Sequence, residues 1–548
     1  MKRVAILGGG VGGLSAAHEL VKHGFAVDVY ERDGELGGKA RSQLVPDPRD
    51  PSRLMPGEHG FRFYPHFYKH LFATMREIPF TPGPNRAPSS DGTVYGNLVE
   101  SSEAGIADGR IVIGPRTVEG GPLELARTTR ALFRGLDVTA RDAAIYAGYL
   151  FRFLTSCPER REAEYERMTW TEYVGRTRHY SPAFARLLAA VPRTMVAMSA
   201  DIGSARTIGT VSSQLFFTFD DDRGGMDATM TGPTTQVWLA PWRDYLVGAG
   251  VRFHHGVAID RFELDRERIA RVWAGGRAIE ADYYVSAMPL EVMQRLIDDR
   301  LATADESLAR VRGMDRATAW MTGAQFFLRR DTPLCRGHMF YPGADWGLTS
   351  ISQAQFWRPR MGSLGDHFAR DLAGVISVDI SDWDTRSQRT GKRAKDCTSA
   401  DEILDEVWTQ LCAGLGSAAP DRADVIGRHL DSNIVFRRDA QGHMRPHNTT
   451  PLLIHRPGSW FDRPDAELRI PNLVLASDYV RTATDLASME GANEAARRAV
   501  RGLLRREGLD ANACPIWPLS EGRTLELAQR ADRLLFLAGR PHAQPIAA

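Results

Sequence analysis

Lysine is scarce in this chain of 548 residues: Lys2, Lys22, Lys39, Lys69, Lys392 and Lys395 are the only ones. Residues 300–391 contain none, so that stretch offers no ammonium as a base or an anchor. Cysteine is nearly as rare. Cys157, Cys335, Cys397, Cys412 and Cys514 are scattered without C-x-x-C or metal-ligand spacing, which argues against a disulfide framework, a zinc site and a redox dithiol. We therefore expect no metal. Neither sign of charge dominates: 69 Lys and Arg face 68 Asp and Glu, a net charge of +1, and no basic field points to nucleic acid. No apolar run reaches the ~20 residues needed to span a bilayer, and no internal repeat is visible. The first strand begins within a few residues of Met1, so we expect no signal or transit peptide and a cytoplasmic location.

What is present lies mostly at the two ends. Val4-Ala-Ile-Leu7 is an apolar strand, Gly8-Gly-Gly10-Val-Gly-Gly13 follows, and Leu14 to Val21 has helical spacing. This is G-x-G-x-x-G in a strand–turn–helix context. Gly8 suits the tight turn, Gly10 lets backbone approach a pyrophosphate, and Gly13 lets helix and strand pack closely. A second strand, Ala26-Val-Asp-Val-Tyr30, ends at Glu31, an acid placed to accept hydrogen bonds from ribose hydroxyls. Together these predict a dinucleotide site. Gly37-Gly38-Lys39-Ala40-Arg41-Ser42 follows in one loop. A second glycine pair with two cations predicts a second length of backbone over the same pyrophosphate, which favours FAD. Near the other end, Leu473 to Val480 reads as a buried strand and a loop holding Asp478, and Leu486-Ala-Ser-Met-Glu-Gly-Ala492 opens a helix. The N–H groups and positive dipole end of a helix start suit the electron-rich edge of a reduced flavin.

These pieces predict an α/β chain with a Rossmann-like FAD-binding domain assembled from three segments, 1–79, 232–299 and 430–508. Residues 80–231 and 300–429 would form an α+β substrate domain with a mixed sheet and a helical insertion, and 509–548 a C-terminal extension. Helices are expected over Leu123–Arg134, Thr139–Leu154 and Ser181–Ala197. Strands of a second sheet are expected over Thr318–Leu328, Trp346–Ile351 and Gly374–Ile380. Trp320, Phe326, Phe327, Trp346, Phe356 and Trp357 either line an apolar cavity on that sheet or form its core. The apolar run Ala143–Leu154 is a core helix, or else a hydrophobic mouth that meets a membrane surface. Asp220-Asp-Asp222 reads as a solvated loop.

Over most of its length the chain resembles the FAD-dependent amine oxidase and phytoene desaturase superfamily, in particular plant-type carotenoid desaturases and bacterial hydroxysqualene dehydroxylase-like proteins. Gly8 to Ser42, Pro56-Gly-Glu-His-Gly-Phe-Arg-Phe-Tyr64 and Leu475 to Gly491 carry the likeness. It implies that Glu31 holds the adenosine ribose, that Val257 meets adenine through its backbone, and that Lys39 and Arg41 lie by the pyrophosphate and flavin. Asp478 would bond the pyrophosphate–ribityl region and Met489 the pyrimidine end. The full expected cofactor set is Gly8, Gly10, Gly12, Gly13, Glu31, Arg32, Gly38, Lys39, Arg41, Gly60, Phe61, Arg62, Val257, Ser477, Asp478, Ser488 and Met489. Two positions depart from the pattern: Ser477 stands where a glycine is usual, and Glu58 where desaturases carry an apolar residue and the dehydroxylases an amide.

The implied chemistry is desaturation or dehydrogenation of a largely apolar small molecule, such as an isoprenoid, by hydride transfer to flavin N5. Glu58 or His59 would accept the accompanying proton. Alternatively Glu58 pairs with Arg62 or Arg41, and His59 packs on the flavin and bonds a backbone carbonyl. Competing readings are an amine or amino-acid oxidase, disfavoured by the missing lysines, and a flavin-dependent isomerase or scaffold. No cysteine adjoins the C-terminal flavin segment, so non-covalent FAD is expected. With one G-x-G-x-x-G, reoxidation by oxygen, a quinone or another carrier is expected, and a quinone would bring the chain to a membrane surface.

Overall fold

The structure, a computed structural model, describes all residues except 83–87, 117–134, 176–178, 197, 218–225, 520 and 545–548. The expected helix over Leu123–Arg134 and the Asp220–Asp222 loop lie outside the described residues.

A five-stranded parallel sheet forms one centre. Its order is Arg252–His255, Ala26–Glu31, Arg3–Leu7, Tyr283–Ser286, Leu473–Leu475. Three distant stretches of chain thus supply its strands. The three strands on one side of Ala26–Glu31 are short and mostly apolar, as expected for a buried parallel sheet, whereas the edge strand Arg252–His255 is polar and partly exposed. Helices Val11–Lys22 and Met489–Arg506 pack against each other on one face. The hairpin foreseen at Gly275-Gly276 forms, with Val272 opposite Ile279.

A seven-stranded mixed sheet forms the second centre. Its order is Val425–Leu430, Thr322–Leu328, Gly374–Ile380, Leu348–Ser352, Gly337–Tyr341, Glu103–Ala107, Ile111–Pro115. Two departures from the sequence reading stand out. The stretch Thr318–Leu328 is not one strand; it breaks into Thr318–Ala319 and Thr322–Leu328. Residues 80–231, read as helix-rich, also supply the last two strands of this sheet. Glu103–Ala107 pairs in parallel with Gly337–Tyr341, a contact between sequence-distant segments that no local pattern announces.

The aromatic residues of the second region are core. Phe326 and Trp346 pack with Val378 and Leu411 in one cluster, where Phe326 meets Trp408 at 4.8 Å between ring centroids. Phe327, Phe356 and Trp357 sit in another cluster with Met55 and Leu364. Trp320 packs edge-on against Trp383, with Lys395 over its ring. None of the six is left over to line an apolar cavity.

Helix Ala140–Thr155 starts at Thr139, whose hydroxyl and the Asp142 carboxylate close a capping box. No described helix is long and apolar enough to cross a membrane. All five cysteines are free, and Cys514 is fully buried.

Among the contacts that hold the C-terminal extension, one centres on a buried carboxylate. Asp532, on helix Glu526–Leu537, accepts from the Cys157 amide at 2.8 Å and from Arg160 Nε at 3.0 Å. Removing one partner of a buried pair costs about 3–5 kcal/mol, because the other charge stays buried. We predict that Asp532→Ala frees this helix, so that trypsin cuts after Arg530 or Arg533 roughly tenfold faster while the rest of the chain keeps its protection. Unchanged cleavage would show that the ion pair does not hold the extension.

Candidate active site

The first half of the site is the C-terminal edge of the parallel sheet. Gly8 has φ +110°, open to glycine alone. A Cβ on Gly13 would fall 1.9 Å from the Gly8 carbonyl oxygen, and one on Gly12 would fall 2.1 Å from that of Ala476. Gly13 therefore packs helix on strand as expected. Gly12 serves the crossing of helix and loop. Gly10 differs from both: a Cβ there would meet only Gly38 Cα, at 3.9 Å, so its backbone borders open space.

The second glycine loop lies where its composition placed it. The Gly37 amide donates to the Gly9 carbonyl at 2.8 Å, and Gly10 and Gly37 form a parallel bridge. Glu31 is buried at the end of its strand. Its carboxylate takes the Gly9 amide at 2.7 Å and the Asp33 amide at 2.9 Å, leaving lone pairs on both oxygens. The Val257 amide donates to the Glu31 carbonyl at 2.8 Å, so only its carbonyl is left for a ligand. Arg41 pairs with Asp33 at 2.6 Å, and Arg32 lies 3.5 Å from the same acid. The Lys39 ammonium donates to the Pro451 carbonyl, and Arg62 donates to the carbonyls of Lys39, Gly60 and Phe61. Of the expected cations, Lys39 and Arg62 are thus tied to backbone oxygens.

On the C-terminal side, Ser488 caps helix Met489–Arg506 by accepting from the Gly491 amide at 3.1 Å. The Ser477 hydroxyl donates to the partly exposed Asp478 carboxylate at 3.3 Å. Met489 is partly buried against the first core. Two acids here escaped the sequence reading. Glu490 accepts from the amides of Lys69, His70 and Leu71, each at 2.8 Å, and so caps helix Lys69–Glu77. Glu291 stands just past the strand Tyr283–Ser286. Burial raises its carboxyl above the usual range, against the pull of Lys39, with Asp478 adding to the rise. Its position after a strand and Pro289 was the available signal.

The second half of the site is the segment 56–64, laid against the seven-stranded sheet. Glu58 Oε1 accepts from Ser42 Oγ at 2.8 Å and from the Thr234 amide at 3.0 Å. Its Oε2 is buried without a partner among the described residues. Glu58 makes no ion pair with Arg62 or Arg41, contrary to one expectation. Burial pushes its carboxyl up, against the charge of Arg62.

His59 lies in ion-pair range of a carboxylate where a bond to a backbone carbonyl was the expectation. Its Nδ1 lies 2.6 Å from Asp431, which is fully buried. Asp431 also accepts from Gln43 Nε2 at 2.7 Å and from the Asn433 amide at 3.0 Å. Gln43 Oε1 in turn takes His429 Nε2 at 2.7 Å and the Ser432 amide at 3.0 Å. Burial alone would raise the Asp431 carboxyl, but the charge and hydrogen bond of His59, with Asn433 and Gln43, hold it below the usual range. The far nitrogen of His59, Nε2, is buried with no partner among the described residues. Asp431 was missed because the strand register that aims it at His59 cannot be read locally.

The residues fit a flavin dinucleotide: an open backbone at Gly10, a second glycine loop bridged to the first, ribose-directed Glu31 and a capped helix start at Met489. The sequence profile of the family described as "Flavin containing amine oxidoreductase" matches residues 11–504. A mitochondrial protoporphyrinogen oxidase of Nicotiana tabacum is 56% identical over 41 residues, a match spanning 8% of this chain and 8% of that protein. A putrescine oxidase bound to putrescine has a similar structure, with TM-score 0.59 and 15% identity, covering 92% of this chain and 99% of its own. A cyclohexylamine oxidase from Brevibacterium oxydans IH-35A gives TM-score 0.57 at 15% identity, with the same coverages. At such identities the likeness shows the fold.

Two predictions follow from this geometry. Gly13→Ala sets a methyl into backbone and should lower stability by more than ~2 kcal/mol. Gly10→Ala should leave the apoprotein within about 0.5 kcal/mol of wild type while FAD retention falls; equal FAD content in the two variants would refute the assignment. For Glu58, the native state binds more protons than the unfolded chain between the ordinary carboxylate value and the raised one, so its contribution worsens as pH climbs through that window. Glu58→Gln should therefore melt higher than wild type at about pH 8, with the gain fading towards about pH 4, and should keep its turnover.

Proposed function

Because the chain belongs to the family of flavin-containing amine oxidoreductases, and is thus an FAD-dependent oxidoreductase, we propose that it dehydrogenates a C–H bond of a small molecule with a largely apolar skeleton. The residues that would hold FAD are Gly8, Gly10 and Gly38 at the pyrophosphate, Glu31 at the ribose, and Asp478, Ser488 and Met489 at the flavin side. When bound, FAD supplies a two-electron acceptor for a hydride leaving carbon. The chain's own residues handle the proton.

The carrying observation is the buried His59–Asp431 pair. Desaturation breaks two C–H bonds: one hydrogen leaves with its electron pair, the other leaves as a proton. His59 Nε2 takes that proton, and Asp431 stabilises the imidazolium and fixes the ring, as an acid behind a histidine does elsewhere. Glu58, held by Ser42 and Thr234, shapes the segment. The two electrons then pass to oxygen, a quinone or another carrier.

Amine oxidation is the second reading. The family match and the carboxyl of Asp379 beside Gly60 favour it; the absence of lysine from residues 300–391 weighs against a lysine-assisted version.

Anaerobic mixing of the holoenzyme with isoprenoids and with amines tests both, with flavin bleaching as the signal. Bleaching by amines alone would overturn the first reading. Asp431→Asn and His59→Gln should each slow bleaching by ~10²–10⁴ with FAD content unchanged. A wild-type bleaching rate in either variant would remove the pair from the mechanism.

A further inference from the structure

One face of the seven-stranded sheet carries polar residues that neither the hydride nor the proton step uses. Gln325 stands opposite Ser377, and Asp379 opposite Thr349. Ser377 stands opposite Ile351, which stands opposite His338 on the next strand. Directly opposed residues, and residues two apart on a strand, share a face. Hence Gln325, Ser377, Asp379, Thr349 and His338 all stand on one side, and Ala324, Phe326, Ile376 and Val378 occupy the other, apolar side.

All five polar side chains are buried. Gln325 Nε2, Ser377 Oγ, Asp379 Oδ1, Thr349 Oγ1 and both ring nitrogens of His338 lack a hydrogen-bond partner among the described residues. One such group left unpaired costs about 1–3 kcal/mol. Five of them share one face across four adjacent strands, where a ligand or bound water would supply the missing partners.

The same face abuts the catalytic segment. A Cβ on Gly60 would fall 2.7 Å from Asp379 Oδ1. His338 packs against Phe61 and Phe63, at 5.1 and 5.6 Å between ring centroids. Phe61, Phe63 and Phe340 remain partly exposed and supply apolar walls beside the polar patch.

The donor set narrows the ligand. An ammonium would sit beside Arg62, whose charge already bears on both Glu58 and Asp379. A carboxylate would meet no free guanidinium fork, because Arg62 donates to the carbonyls of Gly60, Phe61 and Lys39. What remains is a donor (Gln325), an acceptor (Asp379) and two hydroxyls, a mixture suited to a group that both donates and accepts. We propose that this sheet face binds a hydroxyl group carried by an otherwise apolar substrate. The placement beside residues 58–62 rests on the dehydrogenase reading; the chemistry of the patch does not.

The test uses the holoenzyme and three probes with one skeleton: farnesol, farnesene and farnesylamine. Binding is read from perturbation of the flavin absorbance, and turnover from anaerobic bleaching. Farnesol should bind about tenfold more tightly than either analogue, one good hydrogen bond's worth. Gln325→Leu and Ser377→Ala should each reduce that preference to about threefold or less, with FAD content and Tm as controls on folding. Equal affinities, a preference for farnesylamine, no binding of any probe, or a preference that survives both substitutions would overturn the hydroxyl site. The two readings fail separately. Bleaching by all three probes at equal affinity would sink the hydroxyl site and leave dehydrogenation standing. Selective binding of farnesol that never bleaches the flavin would do the reverse.

Discussion

The site hangs on one residue, Gly323. Its amide donates to the His59 carbonyl at 2.6 Å, and its carbonyl accepts from the Asp431 amide at 2.9 Å. A Cβ at this position would fall 2.8 Å from both Gly60 Cα and the His59 carbonyl oxygen. Only a glycine lets the segment 58–62 come this close to the sheet. That approach brings His59 to Asp431, Gly60 to Asp379 and the Glu58 amide to Gln325 Oε1 at 3.2 Å. The segment 58–62 and the seven-stranded sheet meet through this contact, so the chemistry proposed for His59 depends on a residue with no side chain.

The C-terminal half of the flavin edge is fixed by buried charge instead. Asp485, with φ +45°, precedes the helix start at Met489. It accepts from Arg463 at 2.8 Å, Arg206 at 2.7 Å and the Thr207 hydroxyl at 2.8 Å. Burial opposes its ionisation, but Arg206, Arg463 and His455 hold it well below the usual range. Nearby Glu166 is pushed up to about 7, by burial first and by Asp485 second. One acid of the cluster keeps its charge, and the other yields it. Buried ion pairs seldom add net stability. Here the cluster sets the path of residues 482–488, and so the direction from which the capped helix meets a cofactor.

Local grammar carried the dinucleotide edge into the sequence: Gly8, Gly10, Gly13, Glu31 and the Gly37-Gly38 loop all follow from turn and helix-start chemistry within a few dozen residues. Strand parity decided what did not follow. In Thr322–Leu328 the aromatic Phe326 and the amide Gln325 are neighbours, and which of them faces the segment 56–64 depends on a register set by strands fifty and a hundred residues away. A one-residue slip exchanges the two faces, so counting aromatics could not separate a cavity wall from a core. Asp431 was hidden for the same reason. Its sequence surroundings, Asp-Ser-Asn, read as a turn, and its role appears only when Gly323 places it under His59.

The electrostatics of the segment then make a consistent division. Three carboxyls surround it. The Glu58 carboxyl is pushed up by burial. Asp379 is pushed up to about 7 by burial, against the charge of Arg62. Asp431 alone is held below the usual range, because it has His59, Asn433 and Gln43 as donors. Of the three, only Asp431 is favoured as the anion, and it lies behind His59. Three ordinary carboxylates around Arg62 would make this region strongly negative and select cations. With two of them raised, each by burial, the balance shifts towards the neutral group proposed for the polar face.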